Sequence, residues 1–582
     1  MAAELTPSAR AILDRRYLAR DGEGRIIETP EQLFRRVARA AAGAERQWGG
    51  DPPAMEELFF ELLSSLEFLP NSPALRNAGR EPGQLAACFV LPIEDSIGAI
   101  FDALHWAALV QVSGGGTGFD FSRLRHAGAP AGAQGGCASG PLPFLDLFHR
   151  ATDALRPLAM RRGANMGVLR VDHPDIVAFV QAKLKPGQLT NFNLSVALTD
   201  EFMAELKAGG RFALRDPRTR AIVRRIDANT LFDLVTACAW ECGDPGALFI
   251  DRIEAANPTP RLGRLTATNP CSEQPLLPFE SCVLGSLDVS RFLRADERWP
   301  DWDRLRRAVD LAVRFLDDLI DAGRFPLPQI AEATHVNRKI GLGVMGFADL
   351  LIALEIPYDS DQALALADEL MGFVERASIE ASAQLAKERG AFPGFAGSLW
   401  DELGMPPLRN ATTTTIAPTG TLSILAGCSS GIEPVFAYTL VRRVLDGEQL
   451  AETHPMLPRV LARHGLKTEP VLEEIARTGR VRGLRGVPEH VSRLLPTAWD
   501  IAPSWHLRMQ AVFQRHVHSA VSKTVNFPAA ATTDDVARAY LLAWKEGCKG
   551  ITVYRDGSRA EQVLTAGSEE PLAPEPVCPE CR

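Results

Sequence analysis

The sequence predicts an α/β fold preceded by a small helical region, and two patterns carry this prediction. Up to about residue 70, apolar residues recur at helical spacing on a charged background. From about residue 85 to 560, short apolar runs typical of strands alternate with amphipathic helical stretches. With 46% hydrophobic and 23% charged residues in a chain of 582, the composition is that of a folded globular protein with a large core.

The predicted elements follow these patterns in order along the chain. N-terminal helices are predicted around residues 31–37 and 55–63, where apolar side chains share one helical face. Four apolar runs then predict strands, namely CFVLPI, NFNLSVAL, GSLDVS and ITVY. Long amphipathic helices are predicted at residues 302–319 and 361–387, between the third and fourth of these runs.

Glycine clusters and the C-terminal composition complete the predicted organisation. Turns at which a ligand can approach the backbone are predicted at three glycine clusters, residues 114–118, 341–346 and 419–421. The end of the chain, GSEEPLAPEPVCPECR, has almost nothing apolar to bury, which predicts a mobile tail. We therefore expect three units: a helical region at 1–80, the main α/β domain at 81–560 and the tail at 561–582.

Charge and hydropathy argue against two classes of function. A formal net charge of −9 does not suit a protein that holds nucleic acid along a basic face, because phosphate neutralisation needs clustered Lys and Arg. No apolar run has the length of a signal peptide core or a membrane span, so we expect no membrane contact. The expected compartment is the cytoplasm.

One cysteine has an unusual setting, within the segment NPCSEQPLLPFESCVLGSLDVS at residues 269–290. Ten cysteines in 582 residues are too sparse for a disulfide scaffold, so no single structural role explains all of them. Cys271 could be a buried core thiol. However, Asn269, Cys271 and Glu273 would face the same side of an extended segment, and alternating polar groups do not suit a dry core.

This trio has the groups that radical chemistry on a sugar requires. A thiol can exchange a hydrogen atom with a sugar carbon, and a nearby carboxylate can remove the proton of a sugar hydroxyl. A cysteine nucleophile would instead need a histidine to form its thiolate, and no histidine lies near Cys271 in sequence. A histidine brought close by the fold stays open at this point.

Several further segments occur in a fixed order along the chain. They are FLPNSPALRNAG, LAACFVLPIEDS, GGGTGFDFSRLR, MRRGANMGVLRVDHPDI, HVNRKIGLGVMGFADLL and APTGTLSILAGCSSGIEPVFA. Together with the segment at 269–290 they resemble the ribonucleotide reductases over most of residues 60–560. The NPC form followed by CxLGS is similar to the adenosylcobalamin-dependent class II enzymes of that family.

The resemblance implies a ten-stranded α/β barrel whose central finger loop carries Cys271. It implies that Cys271 becomes a thiyl radical and takes the 3'-hydrogen of the ribose, while Glu273 deprotonates the 3'-hydroxyl and Asn269 orients the substrate. Cys88 and Cys282 would supply the two electrons needed after the 2'-hydroxyl leaves as water, which gives a 2'-deoxyribonucleotide. Because solvent quenches a thiyl radical, we expect the barrel strands to enclose the loop.

Substrate contacts are implied mainly around the phosphate groups. Residues 417–423 place small residues and hydroxyls before an apolar run, as at a helix N-terminus whose free amides bind phosphate, and an ordinary capped helix is the alternative. The resemblance implies that residues 418–422 bind the substrate's diphosphate. The implied substrate-binding residues are Ser72, Ala87, Gly116, Pro270, Ser272, Pro418, Thr419, Gly420, Thr421 and Leu422.

A second nucleotide site is also implied. In this family a deoxynucleoside triphosphate binds away from the active site and selects the base that is reduced. Asp95, Ser96 and Arg125 match the effector-contacting positions, and Arg162 lies in the segment that resembles the loop relaying this choice. Each of these residues could instead be a solvated surface charge.

The radical source follows from what the chain has near its C-terminus. Class I large subunits receive the radical through two adjacent tyrosines, whereas this chain has Tyr554 alone in the corresponding region, and no glycyl-radical motif of class III is evident. Adenosylcobalamin is therefore the expected cofactor. The alternative is a class I large subunit that requires a radical-generating small subunit.

The last cysteines suggest how electrons arrive. Cys578 and Cys581 form a CxxC that is either half of a zinc site or a dithiol that exchanges with a buried disulfide. Exchange is favoured, and no metal site is predicted. The expected partners are a thioredoxin-like or glutaredoxin-like reductant and a second copy of the chain in a homodimer, with ribonucleoside diphosphates as substrates. A non-catalytic nucleotide-binding regulator on the same fold is the remaining alternative, against which the intact set of site residues argues.

Overall fold

The computed structural model describes residues 4–131, 135–156, 163–294, 300–444, 448–466, 468–558 and 564–566. The strands are β1 (Phe68–Pro70), β2 (Cys88–Val90), β3 (Gly116–Asp120), β4 (Pro130–Ala131), β5 (Gly136–Cys137), β6 (Asn165–Arg170), β7 (Phe192–Leu198), β8 (Arg211–Arg215), β9 (Ile222–Asp227), β10 (Gly246–Phe249), β11 (Ala267–Thr268), β12 (Pro275–Leu276), β13 (Ser281–Asp288), β14 (Ile340–Met345), β15 (Thr439–Val444), β16 (Glu448–Thr453), β17 (Thr524–Phe527), β18 (Gly550–Arg555) and β19 (Leu564–Ala566).

Helices precede the barrel and connect its strands. They are α1 (Pro7–Arg16), α2 (Pro30–Ala42), α3 (Pro52–Ser64), α4 (Ser72–Asn77), α5 (Ile97–Val112), α6 (Pro141–Leu155), α7 (Ile176–Val180), α8 (Asp200–Ala208), α9 (Ala228–Cys242), α10 (Ile250–Ala255), α11 (Trp302–Ala322), α12 (Pro328–Asn337), α13 (Phe347–Ala353), α14 (Asp361–Arg389), α15 (Leu399–Glu402), α16 (Leu422–Ala426), α17 (Met456–Arg463), α18 (Thr468–Thr478), α19 (Glu489–Leu494), α20 (Pro503–Gln514) and α21 (Thr533–Lys545).

The first three helices are started by local sequence signals. Thr6, Thr29 and Asp51 precede α1, α2 and α3, and each side chain accepts a hydrogen bond from a backbone N–H of the first turn. A proline follows each cap, at a position where its missing N–H costs no helical hydrogen bond. Near the end of this helical region, the three-residue strand β1 pairs antiparallel with β13.

The barrel is a ring built from two sets of parallel strands. Strands β2, β3, β6, β7 and β10 are parallel neighbours, and β10 pairs antiparallel with β18, which pairs parallel with β17. On the other side β13 pairs antiparallel with β2 and parallel with β14. The extended segment 412–416 lies between β14 and β17, since Leu342 N–H donates to Thr413 O at 2.7 Å and Ile416 N–H donates to Ala520 O at 3.2 Å. The predicted α/β barrel is confirmed, with a ten-stranded sheet as its wall.

Buried ion pairs join the N-terminal region to the barrel. Glu45 accepts hydrogen bonds from Arg314 and Arg389, each at 2.6 Å. Arg389 in turn donates to Asp317 at 2.9 Å and to Asp318 at 2.7 Å, both on α11. Because charges this deeply buried are tolerated only when they are paired, this network fixes the N-terminal helices against α11 and α14.

The long predicted helices at 302–319 and 361–387 are confirmed as α11 and α14, each two or three residues longer at its C-terminal end. The strand predicted from GSLDVS is displaced, because β13 begins at Ser281 and the chain turns into a 3₁₀-helix at Val289–Arg291.

Over the ranges given above, the structure contains no helix with both the length and the apolar character needed to cross a membrane. Most of the predicted tail, with Cys578 and Cys581, lies outside those ranges.

Candidate active site

Cys271 lies in a tight loop between the two short strands β11 and β12. These strands pair antiparallel, with Thr268 opposite Pro275. Asn269 closes the loop, because its N–H donates to Gln274 O at 3.1 Å and its Oδ1 accepts the Gln274 N–H at 3.0 Å. Ser272 has a positive φ of 68°, the left-handed conformation that a sharp turn requires. This hairpin is the finger loop that the sequence predicts.

Glycines in β3 let the finger loop enter the barrel. A Cβ on Gly118 would lie 1.8 Å from Thr268 O, and one on Gly116 would lie 3.0 Å from the Pro270 ring. The loop is also held from other walls of the barrel. Asn193 Nδ2 donates to Pro270 O at 2.8 Å, and Glu273 O accepts from the Ala520 N–H at 2.9 Å.

The two predicted redox cysteines are neighbours in the barrel wall. Cys88 on β2 lies directly opposite Cys282 on β13. Residues opposite each other in an antiparallel pair have Cα atoms roughly 4.5–5.5 Å apart, which lies within the range that a disulfide spans. Both side chains are buried, and burial raises the pKa of each thiol well above its usual value.

A hydrogen bond connects the finger loop to this cysteine pair. Asn269 Nδ2 donates to Cys88 Sγ at 3.0 Å. The pKa of Cys88 is raised first by burial and then by the nearby charges of Glu273, Cys282 and Cys271, so all of these groups lie within electrostatic reach of one sulfur. The five residues predicted to be catalytic are therefore brought together.

The enclosure of Cys271 differs from the prediction. Asn269, Pro270 and Glu273 are buried as expected, but the Cys271 side chain is exposed. The hairpin strand β11 is in contact with β2, β3 and β6, whereas Cys271 at its tip is solvent-accessible. The physical reason is that a thiol must be reachable by the molecule on which it acts, so the strands enclose the base of the loop rather than its tip.

The remaining residues predicted to bind substrate lie on segments around the finger loop. Ser72 is the first residue of α4 and its Oγ accepts from Tyr17 Oη at 2.8 Å. Ala87 directly precedes Cys88, and its N–H donates to Cys282 O at 3.1 Å. Thr419, with a positive φ of 52°, accepts the Gly431 N–H on its Oγ1 at 2.7 Å and so shapes the segment 418–422, which leads into the first residue of α16.

A cavity of about 670 Å³ adjoins the loop 418–422. It begins at Ser423, one residue after that loop, and Ala417 on the other side packs in the same buried cluster as Cys88 and Cys282. The walls combine apolar and polar side chains, as sites for large organic ligands do. The lining includes Thr6, Ser8, Ile424, Cys428, Ser430, Glu433, Phe436, His454, Asn526 and Tyr554.

Two of the predicted effector residues, Asp95 and Arg125, lie in a different cleft. Arg125 forms two hydrogen bonds with the Asp95 carboxylate, at 3.1 and 2.9 Å, and Ser96 caps α5 by accepting the Ala99 N–H. A cavity of about 720 Å³ includes Asp95 and Arg125. Its walls carry further arginines, namely Arg123, Arg170, Arg215, Arg218, Arg220 and Arg264. Arg162 lies outside the described residues.

Some residues of the site were missed by the sequence analysis. Asn193, Thr415 and Ala520 hold the finger loop through single hydrogen bonds with its backbone. Lys339 and Glu280 form a buried ion pair beside Cys282. The charged pair carried a usable signal, since a lysine between NR and IGLGV precedes an apolar strand, but the hydrogen bonds to the loop depend on distant segments.

Comparison with known proteins agrees with this geometry. Residues 86–407 and 398–554 match the family described as ribonucleotide reductase, barrel domain, and residues 3–83 match ribonucleotide reductase, all-alpha domain. The class Id ribonucleotide reductase alpha subunit of Actinobacillus ureae has the same fold, with a TM-score of 0.76 over 95% of this chain and 97% of that chain at 24% identity.

Two curated relatives are much more similar in sequence. The vitamin B12-dependent ribonucleoside-diphosphate reductase of Mycobacterium tuberculosis (strain CDC 1551 / Oshkosh) is 50% identical over 571 residues, which cover 98% of this chain and 82% of the relative. The protein of the same name from Thermoplasma acidophilum is 45% identical over 629 residues, with the same shares covered. This chain therefore belongs to the ribonucleotide reductase family, in its vitamin B12-dependent class II branch.

Proposed function

We propose that ribonucleotide reduction by this chain depends on a thiyl radical at Cys271. The thiyl takes the 3'-hydrogen of the ribose, Glu273 accepts the proton of the 3'-hydroxyl, and Asn269 binds the substrate. The single observation that carries this proposal is the hydrogen bond from Asn269 to Cys88 at 3.0 Å, with Cys282 directly opposite Cys88. One amide thus joins the loop that starts the reaction to the thiols that complete it.

The cysteine pair is the proposed source of the two electrons. When the 2'-hydroxyl leaves as water, Cys88 and Cys282 each give up a hydrogen atom equivalent and join as a disulfide, which balances the reduction of the sugar. Their high thiol pKa values support this role, because a protonated thiol retains the hydrogen that the sugar needs. Their cross-strand position puts their Cα atoms within the range that a disulfide spans.

The proposed cofactor is adenosylcobalamin, which the names of the Mycobacterium and Thermoplasma relatives support. When bound, it supplies a cobalt–carbon bond whose homolytic cleavage is a source of unpaired electrons. The cavity beside Ser423 fits a cofactor of mixed polarity, since Phe436 and Ile424 offer apolar walls and Ser430 and His454 offer polar ones. Cys271 would be the residue that carries the unpaired electron.

The proposed substrates are ribonucleoside diphosphates, as in the names of the same two relatives. Residues 418–422 are proposed to bind the diphosphate through backbone N–H groups of a loop that Thr419 holds in shape. Ser72, Ala87, Gly116, Pro270 and Ser272 are proposed to line the rest of the substrate site, because they belong to the segments around the finger loop. Besides Thr419, the segment 418–422 that is proposed to bind the diphosphate contains Pro418, Gly420, Thr421 and Leu422.

An effector site and a homodimer are proposed together. The arginine-rich cleft that contains Asp95 and Arg125 suits a triphosphate, because guanidinium groups bind phosphate through paired hydrogen bonds. Ser96 caps α5, whose outer face exposes Ile97 and Phe101. Apolar side chains exposed along one helix favour contact with a second copy of the chain.

Electron supply and domain organisation complete the proposal. A thioredoxin-like or glutaredoxin-like dithiol is the proposed reductant, with Cys578 and Cys581 of the tail as the shuttle. The proposed compartment is the cytoplasm, whose reducing conditions suit a reaction that begins with free thiols.

The proposed units are the N-terminal region 1–80, the barrel 81–560 and the tail 561–582, and the family matches at 3–83 and 86–554 support the first boundary.

The proposal is tested by reduction of ribonucleoside diphosphates by the purified chain with a dithiol, with and without adenosylcobalamin. We expect turnover only with the coenzyme, and we expect Cys271→Ala to abolish it while circular dichroism stays unchanged. Cys137→Ala is the matched control, because Cys137 is also exposed but lies on β5, away from the finger loop. Turnover without the coenzyme, or activity retained by Cys271→Ala, would overturn the assignment.

A further inference from the structure

Cys282 has a charged neighbour on the side of β13 that faces away from Cys88. Strand β13 pairs in parallel with β14, with Val283 opposite Ile340. The residues just before them, Cys282 and Lys339, therefore lie side by side, and Cys282 Sγ is 3.5 Å from Lys339 O. Cys282 is thus flanked by Cys88 on one neighbouring strand and by Lys339 on the other.

Lys339 is held in a buried ion pair. Its Nζ lies 2.5 Å from Glu280 Oε2, and both side chains are 2% exposed. Asn337 Nδ2 donates to the other oxygen of Glu280 at 2.5 Å, and Leu277 N–H donates to Oε2 at 2.6 Å. Because the Glu280 carboxylate accepts hydrogen bonds from three donors, it does not fully offset the positive charge of Lys339. The scarcity of water around the pair strengthens the electrostatic effect of that charge on neighbouring groups.

The charge of Lys339 acts on the sulfur beside it. Burial raises the pKa of the Cys282 thiol, and Lys339 is the largest influence after burial and lowers that pKa, while Glu280 and Glu273 raise it. For Cys88 the charged neighbours that influence the pKa are Glu273 and the other two thiols of the site, and all three raise it. The hydrogen bond from Asn269 lowers the pKa of Cys88 in turn. The thiolate form is therefore favoured by a neutral amide at Cys88 and by a cation at Cys282.

This inference rests on the proposed roles of Cys88 and Cys282. We propose that Lys339 is a positioning residue for the redox pair, whose ammonium stabilises Cys282 as the sulfur that departs as a thiolate each time the disulfide is reduced. Glu280 holds the ammonium in place. The arrangement determines which sulfur each step of the reduction involves: the electron donor attacks Cys88, and Cys282 is the sulfur that leaves.

The step balances with a dithiol as the electron donor. A thiolate of the donor attacks Cys88 Sγ and forms a mixed disulfide, while the Cys88–Cys282 bond breaks and its electron pair goes to Cys282. The second thiol of the donor then attacks the donor sulfur and releases Cys88. Two electrons pass from the donor, which ends as a disulfide, and the two protons end on Cys88 and Cys282.

Position explains why Cys88 is the attacked sulfur. Cys88 is 3% exposed and is contacted by Asn269 of the finger loop, two residues before the exposed Cys271. Cys282 lies between two neighbouring strands with no exposed surface. Because a leaving thiol of lower pKa departs faster, a cation beside the enclosed sulfur accelerates reduction.

The test is the rate at which dithiothreitol reduces the preformed Cys88–Cys282 disulfide in the full chain, without nucleotide or coenzyme. The reaction is stopped by alkylation and both cysteines are quantified by mass spectrometry. We expect Lys339→Met to slow reduction about tenfold, as for a leaving thiol whose pKa rises by one or two units, and Lys339→Arg to stay near the wild-type rate. Lys183→Met is the matched control, because Lys183 forms an ion pair with Asp244 instead.

A double variant separates charge from structure. Lys339→Met leaves Glu280 buried without its cation, so a structural defect should be repaired by Glu280→Gln in the same chain. If the double variant regains the wild-type rate, or if Lys339→Met is reduced as fast as the wild type, the inference is overturned. A slow double variant with an unchanged thermal unfolding temperature supports it. Failure of the wild type to form this disulfide would instead overturn the proposed redox pair itself.

Discussion

At the scale of single residues, the site depends on polar groups held where water is scarce. Lys549 is one such group, since its Nζ donates to His518 O at 2.7 Å and to Ser519 O at 2.5 Å. The next residue, Ala520, donates its N–H to Glu273 O at 2.9 Å. Lys549 therefore stabilises the segment that holds the base of the finger loop, and burial lowers its pKa from 10.5 to about 7.

This pKa gives a prediction for stability against pH. Between about pH 7 and 10 the unfolded chain binds a proton at Lys549 that the folded chain does not, so the free energy of unfolding rises with pH, by up to about 1.4 kcal/mol per pH unit. We expect Lys549→Met to remove this rise, measured as urea midpoints at pH 7, 8 and 9. The exposed Lys185→Met should keep it. Parallel curves for wild type and Lys549→Met would contradict the prediction.

At the scale of elements, the barrel strands make room for the β11–β12 hairpin. Glycine in β3 allows the hairpin backbone to lie against the sheet, which no larger residue would permit. Hydrogen bonds from three other segments then fix the loop, through Asn193, Thr415 and Ala520. The position of Cys271 is thus a property of several elements together rather than of its own loop.

Gly118→Ala tests this arrangement. The new Cβ would lie 1.8 Å from Thr268 O, so the hairpin must shift, and we expect kcat to fall by about 100-fold because reacting groups must be aligned closely. Gly43→Ala is the control, since nothing lies within 4 Å of its Cβ and its φ of −57° is helical. Circular dichroism should be unchanged for both. Normal turnover by Gly118→Ala would show that the hairpin is not packed as described.

At the scale of the whole molecule, two features determine how the parts fit together. The buried ion network around Arg389 joins the N-terminal region to α11 and α14. In contrast to this buried network, α5 lies at the surface and exposes Ile97, Phe101 and Val112 to solvent along its length. The first feature makes the N-terminal helices part of the barrel's support, and the second favours a dimer across α5.

The dimer is tested by Phe101→Glu, which places a charge in the middle of the exposed face of α5. We expect the wild type to have twice the mass of the chain in sedimentation equilibrium and the variant to shift towards the monomer, because a buried unpaired carboxylate is costly. Ile27→Glu is the control, because Ile27 is 62% exposed, comparable to Phe101 at 51%, but lies in the N-terminal region. A monomeric wild type would contradict the proposed dimer.

The sequence alone determined the chemistry and its order along the chain. The period-two spacing of Asn269, Cys271 and Glu273, the ordered motifs and the alternation of strands with helices were each readable locally, because side-chain identity and periodicity are local properties. Periodicity and alternation predicted an α/β fold, and the resemblance of the ordered motifs to the ribonucleotide reductases implied the barrel, the finger loop and the residues now found together around Cys88.

Only the tertiary structure decided how these residues meet. The pairing of Cys88 with Cys282, the placing of Lys339 on the other side of Cys282 and the exposure of the Cys271 tip all depend on strand register and on contacts between distant segments. Register is fixed by the packing of the whole barrel rather than by any one strand, since each strand alone could pair in several ways. For that reason the residues of the proposed reaction could be named from the sequence, whereas their arrangement in space could not.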